Sequence, residues 1–239
     1  MRKLLCLLGG ILIIAIVAGC GASAANTTQN QKNKETAKVV QTNLPFSLSP
    51  VEQGWQRRVI ANLGSIDFPQ NIMEEQNRAW RQSAEAQSKA DGIPVFPQDT
   101  VVIQQYGTSR YARIMITEMK GSRGEFKKLS EKNYFSKAEL KGYDAQMRQN
   151  IKNDFSKIPG MKLLEYYPAR LQDLNGMQPV VVSYRRQLGN NPPVLVWDYR
   201  FMNDNSIVQV IMSYRQAEDD IWAPVFQKSL ASLRIQPSQ

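Results

Sequence analysis

Few residues in this chain have the means to do chemistry, and Cys20, closing the run Val17-Ala18-Gly19-Cys20, comes first among them. The other cysteine, Cys6, lies inside an apolar stretch near the N-terminus. A chain cut before Cys20 keeps one thiol and can form no internal disulfide. Histidine is absent from all 239 residues. That excludes Ser-His-Asp and Cys-His catalysis, His-bearing zinc sites and the commonest general base near neutral pH. The histidine-free Ser-x-x-Lys arrangement does not occur either. Carboxylates remain, and the adjacent pairs Glu74-Glu75 and Asp219-Asp220 draw the eye. Neighbours at i,i+1 do not face each other on a helix, so both pairs read as solvated charge. No cofactor or metal is expected from these parts.

Tyrosine–arginine pairs are the other groups worth weighing. Tyr184 and Tyr214, with Arg186, Arg200 and Arg215, lie on strand-like segments whose alternation could present one polar-aromatic face. Guanidinium forks match carboxylate and phosphate groups, so the functional reading is a site for an anionic ligand. In the structural reading, Arg185 or Arg215 pairs with Asp198, Glu218 or Asp219 near the end of a sheet. Both readings stand at this stage.

The segment that delivers Cys20 has the layout of an export signal. Arg2 and Lys3 are followed by an uncharged, almost wholly apolar run from Leu4 to Ala18, with small residues before the cysteine. The run is shorter than the roughly 20 residues that span a bilayer as a helix. Val17-Ala18-Gly19-Cys20 resembles the lipobox of bacterial lipoproteins. That resemblance implies cleavage after residue 19, diacylation of Cys20 and residence on the extracytoplasmic side of the cell envelope. Two acyl chains would anchor stably, since each buried methylene contributes about 0.8 kcal/mol. Gly21 follows, where the usual inner-membrane retention signal is Asp, so the outer membrane is favoured in a two-membrane bacterium. Ordinary cleavage after Ala22-Ser23-Ala24, or an uncleaved anchor, are the competing readings.

The chain carries 30 Lys and Arg against 21 Asp and Glu; without Arg2 and Lys3 the balance is about +7. A basic exported chain is drawn to anionic headgroups or acidic polymers, although general solubility accounts for the charge equally well. Nucleic acid is not an expected partner, because the basic pairs Lys127-Lys128 and Arg185-Arg186 are isolated.

Residues 20–43 are rich in Ala, Asn, Thr, Gln and Lys and cannot bury enough apolar surface to order themselves. They read as a tether with a reach of roughly 25–30 Å. One domain over residues 44–236 follows. Its segments alternate between two periods. Val59 to Phe68 reads as one strand ended by Pro69, and residues 71–89 read as a short strand or a helix. Val101 to Tyr106 and Tyr111 to Thr117 read as a hairpin, with Tyr111, Arg113, Met115 and Thr117 on one face.

Ser136 with Glu139 forms a capping box. Leu140, Tyr143, Met147, Ile151, Phe155 and Ile158 continue as one apolar stripe until Pro159-Gly160. Strands are predicted over 162–174, 179–188, 194–202 and 206–215, joined by turns short enough for an antiparallel meander. A final helix opens at about Asp219, with Trp222, Val225, Phe226, Leu230 and Leu233 as its stripe. Two striped helices need cover and a sheet supplies it, which makes the class α+β.

The Ser136–Lys157 helix, the Asn175-Gly176-Met177 turn, two strands ending in Ser-Tyr-Arg, and Trp222-Ala-Pro-Val-Phe leading to Leu230-Ala-Ser-Leu-Arg-Ile together resemble the PsbP-like family, including exported lipoproteins of the DcrB kind. The resemblance implies a three-layer α/β/α sandwich with a central antiparallel sheet. For function it implies an accessory or binding module without a shared catalytic motif. The expected partners are the membrane, through the lipid anchor, and an envelope protein or anionic polymer. The alternative is an enzyme acting on envelope polymers through a carboxylate-based site.

Overall fold

The computed structural model describes residues 50–60, 63–75, 77, 82, 101–105 and 109–238. Cys20, the export segment and residues 20–43 lie outside the described residues, as does most of the segment 71–89.

Alternation in the sequence becomes two-sided burial in a seven-stranded antiparallel sheet. Its strands are β3 (Met73–Glu75), β4 (Val101–Gln105), β5 (Ala112–Lys120), β6 (Met161–Leu171), β7 (Val180–Leu188), β8 (Val194–Asn203) and β9 (Ser206–Arg215). They run in the order β3-β4-β5-β9-β8-β7-β6. The meander from β6 to β9 is the predicted one, and β9 docks centrally against β5, with Ala112 opposite Tyr214 and Lys120 opposite Ser206. Edge strand β6 breaks register twice against β7, between Leu163 and Glu165 and between Tyr167 and Arg170.

One face of the sheet is covered by α1 (Lys137–Ser156). The capping box is present as predicted: the Ser136 hydroxyl accepts from the Glu139 amide, and Glu139 accepts from the Ser136 amide. The stripe Tyr143, Met147, Ile151 and Phe155 packs on Met115, Val180, Val182, Val196 and Ile211. On the other face lies α2 (Asp219–Ser232), entered through a short 3-10 turn. Its Trp222, Phe226 and Leu230 pack on Ile114, Tyr199, Phe201, Val210 and Met212. The result is the expected α/β/α sandwich of class α+β.

A second, small sheet adds to the α2 side. The predicted single strand from Val59 to Phe68 is instead a hairpin of β1 (Trp55–Ile60) and β2 (Gly64–Pro69), with β10 (Arg234–Ile235) pairing on the far side of β2. The Leu63 amide bonds back to the Ile60 carbonyl at 3.0 Å, which marks the reversal. Gly64, at φ +148°, admits it: a Cβ there would stand 1.9 Å from the Arg234 carbonyl oxygen. Only a residue without a side chain lets β10 approach so closely. Asn62 and Gly64 interrupt the apolar run, but Ile60, Ile66 and Phe68 turn toward the same core, so the segment reads as one strand.

Candidate functional site

Cross-strand pairing decides which polar residues meet. Residues opposite each other in an antiparallel pair point to the same face. Tyr184 stands opposite Val196, and Val196 opposite Ser213. Arg186 stands opposite Val194, and Val194 opposite Arg215. Arg200 stands opposite Val180 and Gln209. Tyr184, Arg186, Arg200 and Arg215 therefore share the α1 face, whereas Tyr214 is one step out of phase and points to the α2 face. The two Ser-Tyr-Arg echoes are oppositely oriented.

Tyr214 is a core residue of the α2 layer. Its ring packs between Trp197 and Phe226, at centroid distances of 5.1 and 5.2 Å and edge-on to the latter, and its hydroxyl donates to Asp219 at 2.6 Å. Burial, with Asp219 alongside, raises its pKa.

Arg200 lies too deep to meet a ligand from outside. Its side chain is 2% exposed, and its Nε and Nη2 donate to Asp198 Oδ2 at 3.1 and 3.0 Å. Gln209 Nε2 donates to the same oxygen at 2.9 Å. Burial acts to lower the Arg200 pKa, but the Asp198 carboxylate and the Tyr143 hydroxyl outweigh it and the net direction is upward. Asp198 Oδ1 and Gln209 Oε1 are buried with no hydrogen-bond partner among the described residues. This ion pair sits under α1 beside Tyr143 and belongs to the core.

Arg215 donates to the Ser109 carbonyl and pairs with Glu218 at 3.4 Å, so the pairing of Arg215 with Glu218 weighed from the sequence is present. Glu218 also accepts from the Tyr111 amide and from the Trp222 indole at 2.9 Å. Arg185 meets Glu165 at 3.6 Å and Gln216 at 3.1 Å.

What remains is a corner of the α1 face built around Tyr111. Its hydroxyl lies 3.2 Å from Ser213 Oγ, and the Arg113 guanidinium stands 5.7 Å from its ring centroid. The Arg186 guanidinium faces the same hydroxyl. Arg113 and Ser213 are buried; Tyr111 and Arg186 are half-buried. Tyr184 closes the corner from below, its ring edge-on to Phe155 of α1 at 5.8 Å.

The electrostatics agree with the geometry. Burial works to raise the Tyr111 pKa, yet the cations Arg113 and Arg186 and the Ser213 hydroxyl overcome it and lower it. The Arg113 pKa is lowered, chiefly by burial and further by Arg186, against the pull of Tyr111. Two guanidinium groups held this close raise the local potential, and a phosphate or carboxylate arriving there meets hydrogen-bond donors at fixed positions.

Tyr111, Arg113 and Ser213 were not among the predicted site residues. The signal for them lay in the alternation that put Tyr111 and Arg113 on one face of a strand rich in β-branched residues. A charge there needs a reason.

Both acidic pairs stand in solvent. Asp219 and Asp220 are exposed in the first turn of α2, and Glu74 and Glu75 are exposed on β3. Among the described residues no group of three or more Cys, Asp or Glu side chains is placed to hold a metal ion. No helix among them is long and apolar enough to cross a membrane. At the opposite end of the sheet, where the β8–β9 and β6–β7 turns meet, lies a cleft of about 530 Å³.

No protein-family model matches this chain, and no curated protein matches it in sequence. Solved structures do. The chain is similar to the solution structure of cyanobacterial PsbP (CyanoP) from Synechocystis sp. PCC 6803, at 15% identity and a TM-score of 0.46, over 80% of this chain and 98% of that one. It is similar to a protein from Bacteroides thetaiotaomicron at 9% identity and a TM-score of 0.41, over 77% of this chain and 49% of that one. A protein of unknown function from Pseudomonas aeruginosa shares 11% identity and a TM-score of 0.37, over 73% of this chain and 92% of that one.

Proposed function

We propose that this chain is a non-enzymatic binding module of the bacterial cell envelope, anchored through acylated Cys20 and recognising an anionic ligand at the Tyr111 corner. The observation that carries the binding half is the convergence of two cations on one side chain, Arg113 against the ring of Tyr111 and Arg186 toward its hydroxyl. Two cations beside one phenol give the corner a positive potential that favours an arriving carboxylate or phosphate. The membrane half rests on the order of residues 2–20: positive segment, short apolar run, Val-Ala-Gly-Cys. Extracytoplasmic placement would set a basic, lipid-held domain among acidic polymers and headgroups, where its charge raises encounter rates. With Gly21 after the cysteine, the outer membrane is the proposed location in a two-membrane bacterium.

Two measurements test this. Metabolic labelling with an alkyne fatty acid, followed by intact-mass measurement, should place two or three acyl chains on a product beginning at Cys20. Cys20→Ala should abolish both the label and membrane retention; a labelled Cys20→Ala chain refutes the anchor. For the ligand, the full-length chain in neutral detergent is titrated with inorganic phosphate and with polyglutamate. Arg186→Gln, at a half-buried position, should weaken binding about tenfold or more, as loss of a charge-assisted hydrogen bond of about 1.5–3 kcal/mol requires. Equal affinity of wild type and Arg186→Gln, with the fold intact by circular dichroism, overturns the anion site.

A further inference from the structure

The cleft at the far end of the sheet is a second site, unrelated to the Tyr111 corner. Its walls are held by the backbone. The Phe126 amide bonds to the Asp204 carbonyl and the Asp204 amide to the Lys127 carbonyl, each at 2.9 Å. These bonds fix the segment after β5 against the β8–β9 turn. Asn175, in the left-handed region at φ 52°, donates from Nδ2 to the Leu230 and Leu233 carbonyls at 2.8 and 3.0 Å. That pair of bonds ties the β6–β7 turn to the end of α2. Asn203 closes the third side: its Nδ2 donates to the Gln236 carbonyl and its Oδ1 accepts from the Ser238 amide, both at 3.0 Å. The concavity thus exists before any ligand arrives, at a volume ordinary for small-molecule sites.

Its lining has charge of both signs and an apolar floor. Arg123, Lys128 and Asp204 line it, with Leu129, Met177 and Pro237 among the apolar members. None of the three charged side chains forms an ion pair among the described residues. Their neighbours do: Lys127 pairs with Glu131, and Lys132 with Asp173. Met177 is buried. Cations and a carboxylate left unpaired around one preformed cavity are the complement of a ligand bearing both charges. We infer that this cleft binds a small zwitterion of the amino-acid or short-peptide class. Arg123 and Lys128 would take its carboxylate, Asp204 its ammonium, and Leu129 and Met177 its side chain.

The test uses three related probes with the full-length chain in neutral detergent: the dipeptide alanyl-leucine, its N-acetyl form and its C-terminal amide. Binding is read from backbone amide shifts of Ser130, Gly176 and Asp204 up to low-millimolar probe. The zwitterion should move these amides, and each blocked form should bind about fivefold more weakly, the range of a solvent-accessible ion pair. Asp204→Asn should abolish the preference for the free amine while keeping that for the free carboxylate. Arg123→Gln with Lys128→Gln should do the converse. Equal shifts from all three probes, no shifts at all, or a preference unmoved by Asp204→Asn overturns the assignment. Phosphate binding at the Tyr111 corner can fail or succeed without touching this result.

Discussion

Replacing Arg200 by Met isolates the energetics of the buried pair beneath α1. Arg200 and Asp198 have side chains 2% and 1% exposed, and Arg200 supplies two of the three hydrogen bonds that Asp198 Oδ2 accepts. Arg200→Met fills most of the volume but leaves a carboxylate in the core with Gln209 as its remaining donor. Breaking a buried pair in this way costs about 3–5 kcal/mol, because the stranded charge loses its compensation and gains no water. For a domain of this size each kcal/mol lowers Tm by about 2–4 °C, so the melting point should fall by roughly 6–20 °C. Urea unfolding followed by circular dichroism gives the free energy directly. A triple variant, Asp198→Leu with Arg200→Met and Gln209→Leu, removes the polar groups together and should recover to within about 1 kcal/mol of the parent or exceed it. The reasoning is refuted if Arg200→Met costs less than about 1 kcal/mol, or if the triple variant is no more stable than the single one.

Other substitutions test other links. Gly64→Ala should destabilise by about 2–4 kcal/mol, since the new Cβ collides with the Arg234 carbonyl oxygen and the φ of +148° is strained for alanine; protection of the Ile235 region against hydrogen exchange should fall with it. Asn175→Ala removes two hydrogen bonds to the end of α2 and a residue tolerant of the left-handed region; chemical denaturation should show a loss of about 2 kcal/mol. Ser136→Ala should lower stability by about 1 kcal/mol through loss of the α1 cap.

Alkaline titration at 295 nm reads the tyrosines. Tyr111 should ionise below its ordinary value of 10, and Tyr111→Phe should remove that step. With its folded pKa lowered, Tyr111 adds stability as pH rises toward 10, and the phenylalanine variant lacks that gain. Tyr199 has the opposite sign: burial pushes it up to about 12. The stability it contributes is fully present below pH 10 and is lost as pH climbs toward 12, by at most about 2.7 kcal/mol.

The elements with a local signature were legible in the sequence. Ser136, Glu139 and the stripe from Leu140 to Ile158 announce α1 because capping and period-3.6 burial are encoded within a few turns. The meander followed from short loops at Asn175-Gly176 and Asn203-Asp204-Asn205. What failed needed distant partners. The β1–β2 reversal depends on Gly64 passing beneath Arg234, 170 positions away in a strand of two residues. The candidate face failed in one residue for a related reason. Tyr184 and Tyr214 sit in the same tripeptide, but the faces they occupy depend on the register of β7 on β8 and of β8 on β9. A shift of one residue sends Tyr214 into the α2 layer. Arg200 fell on the expected face, and alternation puts Asp198, two residues earlier, on that face too; what alternation does not show is that α1 buries the two as a pair.

The irregular pairing of β6 bears on how copies of this molecule behave when crowded. Held on a membrane, they would meet in two dimensions, where sheets with straight bare edges polymerise by adding strands. β6 ends the sheet among the described residues, but its two slips in register bend its outer row of amides and carbonyls. Pro168 removes one amide donor within the second slip, and Lys162, Glu165 and Arg170 put charge along the rim. An incoming strand finds no straight template. The irregularity that interrupts pairing inside the molecule keeps neighbouring molecules from continuing it.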